Sequence, residues 1–233
     1  MTNKARQKWF TRISEVFNAF SSVSFSIYKT QILGPLLKAK TSVPRAKDVY
    51  KVLELVPFEK VRVVILGQDP YYQVAGREPY ATGIAFALNP RILKNKELRC
   101  LRGGKSLRSM LKAVHDELNE TRNIDTSLES WAKQGVLLLN TALTTETGKS
   151  GAHVKAWRGF ISALILSLNA RQESLVFVLT CSAAKSFSPL IAPHHQIYLA
   201  SRHPSRCWRI FEPSGRPVRF FLKIKNQFGI QWV

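Results

Sequence analysis

Between positions 9 and 37 apolar residues recur at helical spacing, with Trp9, Phe10, Ile13, Val16, Phe17 and Phe20 forming the first stripe. The spacing breaks at 21–24, where three of four residues are serine, and again at Gly34-Pro35. Residues 46–55 (AKDVYKVLEL) repeat the pattern over a short helix. Four runs of another kind follow: 61–66 (VRVVIL), 136–139 (VLLL), 175–179 (LVFVL) and 196–200 (QIYLA). Short, nearly continuous Val/Leu/Ile runs suit strands covered on both faces. Helical patterns fill 106–120, 126–134 and 154–171. The second opens with Thr126-x-x-Glu129, the spacing of a capping box, and stops at Gly135. Strands alternating with helices predict an α/β fold: one domain with a central four-stranded, mainly parallel, twisted sheet and helices on both faces. No repeat or long linker divides the chain, so 46–233 reads as one core preceded by a helical lead-in over 1–45.

Open parallel sheets bind ligands beyond the carboxyl ends of their strands. The first run leads into Gly67-Gln68-Asp69-Pro70-Tyr71-Tyr72 and the second into Asn140-Thr141. The third delivers Thr180-Cys181-Ser182, and the fourth Ser201-Arg202-His203-Pro204-Ser205. Each residue also has a plain structural use. Asp69 before Pro70 suits a turn, Asn140 a loop cap, and His203 a surface position beside a proline. Their joint placement at strand ends is what points to chemistry. A buried Asp orients water and stabilises positive charge developing on a sugar. A carboxamide pairs a donor with an acceptor, as the edge of a base requires. An imidazole donates to an oxygen that gains negative charge as a leaving group departs. Phe86, in GIAFAL, offers either a stacking face for a base or an ordinary core ring. There is no Walker-type phosphate loop and no cluster with metal-ligand spacing, so no metal or other cofactor is expected.

Charge changes the picture more than composition does. The 233 residues are 45% hydrophobic, an ordinary globular share, but 35 Lys and Arg face 15 Asp and Glu, a net charge of +20. A surplus of that size suits a polyanionic partner, nucleic acid before an anionic membrane. Residues 1–45 and 91–112 each hold eight Lys or Arg and one Glu, and 202–225 hold seven and one. The latter two flank the candidate site. The three cysteines (Cys100, Cys181, Cys207) are far apart and show no CxxC spacing, as expected for reduced thiols in a cytoplasmic or nuclear protein. No signal peptide or membrane-spanning run is evident.

The stretch VRVVILGQDPYY resembles the water-activating motif of family-1 uracil-DNA glycosylases, which usually reads GQDPYH. GIAFAL, LESWAKQGVLLLNTALT and HPS resemble, in the same order, the family segments that carry the base-stacking Phe, the uracil-reading Asn and the start of the DNA-intercalation loop. The likeness runs from about residue 9 to the C-terminal GIQW. It implies that Asp69 orients the attacking water and that His203 hydrogen-bonds uracil O2 and steadies the departing anion. By the same likeness Asn140 reads N3–H and O4, Phe86 stacks on the flipped base, and Tyr71 blocks the methyl group of thymine. Gln68 contributes backbone contacts in the pocket, and His153 supports the water network near Asp69. Ser106, Ser182, Ser205, Arg206, Cys207 and Trp208 fall where the family contacts DNA. The implied substrate is uracil in single- or double-stranded DNA, handled by a monomer without a cofactor. Small DNA-mimicking inhibitor proteins bind this family.

The sequence departs from the family pattern at several places. Tyr72 replaces the usual His. The Pro-rich loop that pinches the DNA backbone is replaced by Arg102-Gly103-Gly104-Lys105-Ser106-Leu107, after a longer lead. Cys207 stands where the family has its intercalating Leu, a poor wedge, and the larger Trp208 beside it is expected to take that part. Divergent loops of this kind occur in viral and phage members. Two other functions compete with the glycosylase reading: a non-catalytic DNA-binding or replication accessory subunit on the same fold, and a glycosylase for mismatched bases. The carboxylate at Asp69 and the bulk of Tyr71 speak against the latter.

Overall fold

The computed structural model describes residues 2–93, 104–201 and 204–233. Chain order gives helix α1 (Thr2–Phe20), strand β1 (Val63–Gly67), helix α2 (Lys105–Leu118), helix α3 (Glu129–Lys133) and strand β2 (Val136–Asn140). Helix α4 (Val154–Asn169), strand β3 (Val176–Leu179), helix α5 (Ser182–Lys185) and strand β4 (Gln196–Ala200) follow. Strands β5 (Ile210–Phe211) and β6 (Pro217–Val218) and helix α6 (Phe220–Phe228) complete this framework.

The sheet order is β6-β5-β4-β3-β1-β2. Strands β4, β3, β1 and β2 are parallel and coincide with the four apolar runs, while β5 and β6 extend the sheet antiparallel from β4 to six strands. Those two were missed because each is a two-residue strand with no apolar run. All fourteen residues of β1, β2 and β3 are buried, which explains why their sequences do not alternate. From β1 the chain goes to β2 on one side and to β3 on the other. The strand order therefore reverses at β1, the position where such sheets open a crevice at their carboxyl edge.

The lead-in belongs to the core. Trp9, Ile13 and Phe17 of α1 are buried in the same cluster as the sheet, and Trp9 Nε1 donates to the Val56 carbonyl at 2.8 Å. Phe10, Phe25, Tyr50, Trp157 and Phe160 join α1 to α4 through edge-on, tilted and stacked ring pairs. The expected break at Gly34-Pro35 is instead helical: a π turn at Lys29–Leu33 runs into Gly34–Lys38, with Pro35 in its first turn. A proline lacks the amide that a first turn leaves unpaired, so it is tolerated there.

Helix α3 also starts differently from the pattern. No capping box forms; Leu128 precedes the helix with φ 53°, Asp125 accepts from the Ser127 amide at 2.9 Å, and Glu129 pairs with Lys51 at 2.7 Å. Glu117 of α2 reaches across to cap α6, accepting from the amides of Phe221 at 2.6 Å and Leu222 at 3.3 Å.

Candidate active site

Strand register builds the site. In the parallel ladder Gly67, the last residue of β1, lies opposite Asn140, the last residue of β2. The chain after β1 is fastened to the chain after β2 by Thr141 N–H to the Gly67 carbonyl (2.9 Å) and Ala142 N–H to the Gln68 carbonyl (3.0 Å). Thr141 Oγ1 also donates to the Gln68 carbonyl at 2.7 Å. Residues 68–72 therefore lie over the end of β2. A cavity of about 140 Å³ opens there, bordered by Gln68, Asp69, Tyr71, Tyr72, Phe86, Ser106 and Asn140, with Thr180 and Pro204 at its edge.

Gly67 makes room for this arrangement. A Cβ at that position would sit 2.5 Å from Asn140 Oδ1 and 3.0 Å from Phe86 Cζ. Backbone, amide and ring thus converge on one point. Phe86 has φ 68°, a conformation that costs a bulky residue energy and persists only when its surroundings enforce it. The Ala85 amide bonds the Leu138 carbonyl at 3.0 Å, and Tyr71 Oη donates to the Phe86 carbonyl at 3.2 Å. Tyr71 in turn accepts from the Leu107 amide in the first turn of α2 at 3.3 Å. Burial pushes the Tyr71 hydroxyl well above its ordinary range, so it remains a protonated donor. One phenol hence ties the loop 68–72 after β1, the Phe86 turn and the start of α2 together.

Asp69 is held by the loop after β2. Its Oδ1 accepts from Ser150 Oγ at 3.1 Å and its Oδ2 from the Gly151 amide. Gln68 Nε2 donates to the same Ser150 oxygen at 3.1 Å. Beneath that loop, Trp157 Nε1 donates to Thr144 Oγ1 at 2.7 Å, and Thr144 Oγ1 lies 2.9 Å from His153 Nδ1. His153 is buried, and burial lowers its pKa against the opposing pull of Glu146. A neutral imidazole inside this chain of bonds supports the loop that grips Asp69.

The sequence did not single out Gly67, Ser150, Gly151, Thr144 or Trp157. Their only signal was position, two residues before Asp69, in the segment after Asn140, or on the helix that follows that segment. Ser182 is exposed at the start of α5, beside Thr180, whose hydroxyl donates to the Leu66 carbonyl at 2.9 Å. Ser205 and Cys207 are half-buried, and Arg206 and Arg209 are exposed. Lys105 is exposed at the start of α2, so basic groups stand on both sides of the cleft. His203 and Arg202 lie outside the described residues, as do Cys100 and the basic segment 94–103.

Trp208 requires a correction. It is only 6% exposed, 5.7 Å edge-on to Phe86 and 5.9 Å stacked on Phe221. A wedge must project from the surface, and this indole is packed into the core against Phe86 and Phe221. The sequence suggested a wedge because a large apolar residue in a basic loop looks exposed until its packing partners are known.

The fold and cleft define an α/β protein with a carboxylate, a carboxamide and an aromatic face converging at a sheet switch point. Residues 54–227 match the uracil-DNA glycosylase superfamily. The uracil-DNA glycosylase of Coxiella burnetii (strain CbuK_Q154) is 40% identical over 167 residues, covering 71% of this chain and 67% of that protein. That of Pseudomonas aeruginosa (strain UCBPP-PA14) is 36% identical over 202 residues, covering 83% and 80%. A solved mimivirus UNG variant in complex with UGI aligns with a TM-score of 0.76 at 26% identity, covering 96% of this chain and 87% of that one. The chain belongs to the uracil-DNA glycosylase superfamily.

Proposed function

We propose that the chain is a uracil-DNA glycosylase of the family-1 type, which flips uracil out of DNA and hydrolyses its N-glycosidic bond to leave an abasic site. The observation that carries this is the convergence of Asp69, Asn140 and Phe86 on one small cavity, with Gly67 leaving the room in which the Asn140 amide and the Phe86 ring approach each other. Asp69 orients a water against C1′ of the sugar and accepts its proton as the new C–O bond forms. The C1′–N1 pair leaves with uracil, and the carboxylate also stabilises the oxocarbenium-like sugar. His203 donates to uracil O2 as negative charge gathers there.

Phe86 stacks on the base while Asn140 meets its N3–H and O4. Cytosine reverses that donor and acceptor order, a mismatch worth about 1–3 kcal/mol for one bidentate pair. Tyr71 stands where a C5 methyl group would have to go. Extrusion of the nucleotide costs a few kcal/mol, least from single strands. Backbone contacts from Ser106, Ser182, Ser205 and Arg206, together with the +20 charge, offset it. The same charge opposes close approach of two copies and favours a monomer. An acidic, DNA-mimicking protein would find the same basic cleft.

The test is strand breakage by alkali after incubation with single-stranded and duplex oligonucleotides that hold one uracil. The parent is expected to cleave both and Asp69→Asn very little. Equal cleavage by the two would remove Asp69 from the mechanism.

A further inference from the structure

We propose that Ser150 is a positioning residue for the water-orienting carboxylate, linking Asp69 to Gln68 in a hydrogen-bond chain that can run in only one direction. This rests on the glycosylase reading of the site. An ionised carboxylate only accepts hydrogen bonds, so at 3.1 Å the Ser150 hydroxyl must give its proton to Asp69 Oδ1. Ser150 Oγ is then left as an acceptor, and Gln68 Nε2 occupies that place at 3.1 Å. Gln68 therefore fixes the hydroxyl rotor, and the rotor points at the carboxylate.

The chain is needed because of how an aspartate turns. Its terminal torsion lies in a broad, shallow well, so sterics alone leave the carboxylate plane loosely set. Here consecutive residues of one loop hold both oxygens, Ser150 on Oδ1 and the Gly151 amide on Oδ2. Rotation would break both bonds together. Each oxygen keeps a further lone pair for water. Gly151, at φ 78°, adopts the left-handed turn that presents its amide to Asp69. The loop is itself fastened to the motif segment, since the Gly148 amide bonds the Tyr72 carbonyl at 3.1 Å. Tyr72 thus enters the support of Asp69 through its main chain. Ser150 acts on the reaction only through Asp69, and it borders the cleft in an exposed position, so its effect falls at the modest end for a bond to a charged group.

The experiment compares the full chain with Ser150→Ala, Ser150→Thr, Gln68→Ala and the double Ser150→Ala/Gln68→Ala. Steady-state and single-turnover cleavage of a uracil oligonucleotide are measured beside the melting temperature. Ser150→Ala should lower kcat about tenfold, the scale of one hydrogen bond to a charged group. KM and melting temperature should stay at the parent values, and Ser150→Thr should recover most of the rate. Gln68→Ala should cost less in the Ser150→Ala background than alone, because its side chain acts through the hydroxyl. Parent-like kcat in Ser150→Ala would overturn the proposal. So would a rate loss that comes with a raised KM and a lowered melting temperature and that Thr does not repair. An inactive parent would defeat the glycosylase reading and this relay with it, whereas an active parent with an unimpaired Ser150→Ala defeats the relay alone.

Discussion

Replacing Gly67 by alanine adds one carbon at the point where the site converges, and the structure sets what must give way. The new Cβ would lie 2.5 Å from Asn140 Oδ1 and 3.0 Å from Phe86 Cζ, against an ordinary contact of about 3.5–4.0 Å between carbons. The Asn140 backbone cannot retreat, because it pairs with Gly67 itself in the β1–β2 ladder. Phe86 has little freedom either, being held at φ 68° with its carbonyl bonded to Tyr71. The amide must therefore swing by roughly an ångström, which would spoil the paired contact with uracil proposed for it. Loss of one bidentate base contact is worth about 1–3 kcal/mol, so kcat/KM on a uracil oligonucleotide should fall about tenfold to a hundredfold. Overpacking should also destabilise the fold by about 1–3 kcal/mol. Affinity for uracil-free DNA should be unchanged, since no phosphate contact is altered. Single-turnover cleavage, denaturant unfolding and DNA binding read the three quantities separately. A Gly67→Ala protein with parent-like cleavage and stability would refute the convergence of Asn140 and Phe86 on that point.

Two further outcomes follow from burial. Trp208→Ala should lower stability by about 3–5 kcal/mol in denaturant unfolding, as removal of a buried indole does, and Trp208→Phe should cost far less because it also removes the buried Nε1, which has no hydrogen-bond partner among the described residues. A stable Trp208→Ala that had lost only duplex cleavage would return the residue to the role of wedge. Burial holds the His153 pKa below its ordinary 6.5, so the folded state prefers the neutral ring and the unfolded state binds the extra proton first. Its contribution is full above pH 6.5 and is lost as pH falls below that value. The melting temperature should drop more between pH 7.5 and 5.5 for the parent than for His153→Asn, and equal drops would contradict the assignment.

What the sequence reveals and hides divides along physical lines. Strands β1, β2 and β3, buried on both faces, show themselves as apolar runs, and half-buried β4 was visible beside them; the carboxyl ends of β1 and β2 lead to Asp69 and Asn140. Strands β5 and β6 stayed hidden, because two residues hold no period. Thr126 and Glu129 have capping spacing, yet Leu128 precedes the helix, Asp125 takes the Ser127 amide, and Glu129 goes to Lys51, a partner 78 positions away in sequence. Long-range partners of this kind leave no local trace. Trp208 shows the same limit from the other side, since its place among Phe86 and Phe221 depends on residues more than a hundred positions upstream and ten downstream. Ser150 and Gly151 read as ordinary loop residues, and only the closure of their loop over residues 68–72 brings them to Asp69.

The most direct test of the account is base release. Oligonucleotides that differ only in carrying uracil, thymine or cytosine at one position would be incubated with the full chain in chelator, and the freed bases identified by mass. Uracil should be released from single and double strands, and neither thymine nor cytosine should be. Intact, salt-sensitive DNA binding with no base released would contradict the central claim and make the chain a DNA-binding subunit. Release of thymine would contradict the steric part assigned to Tyr71.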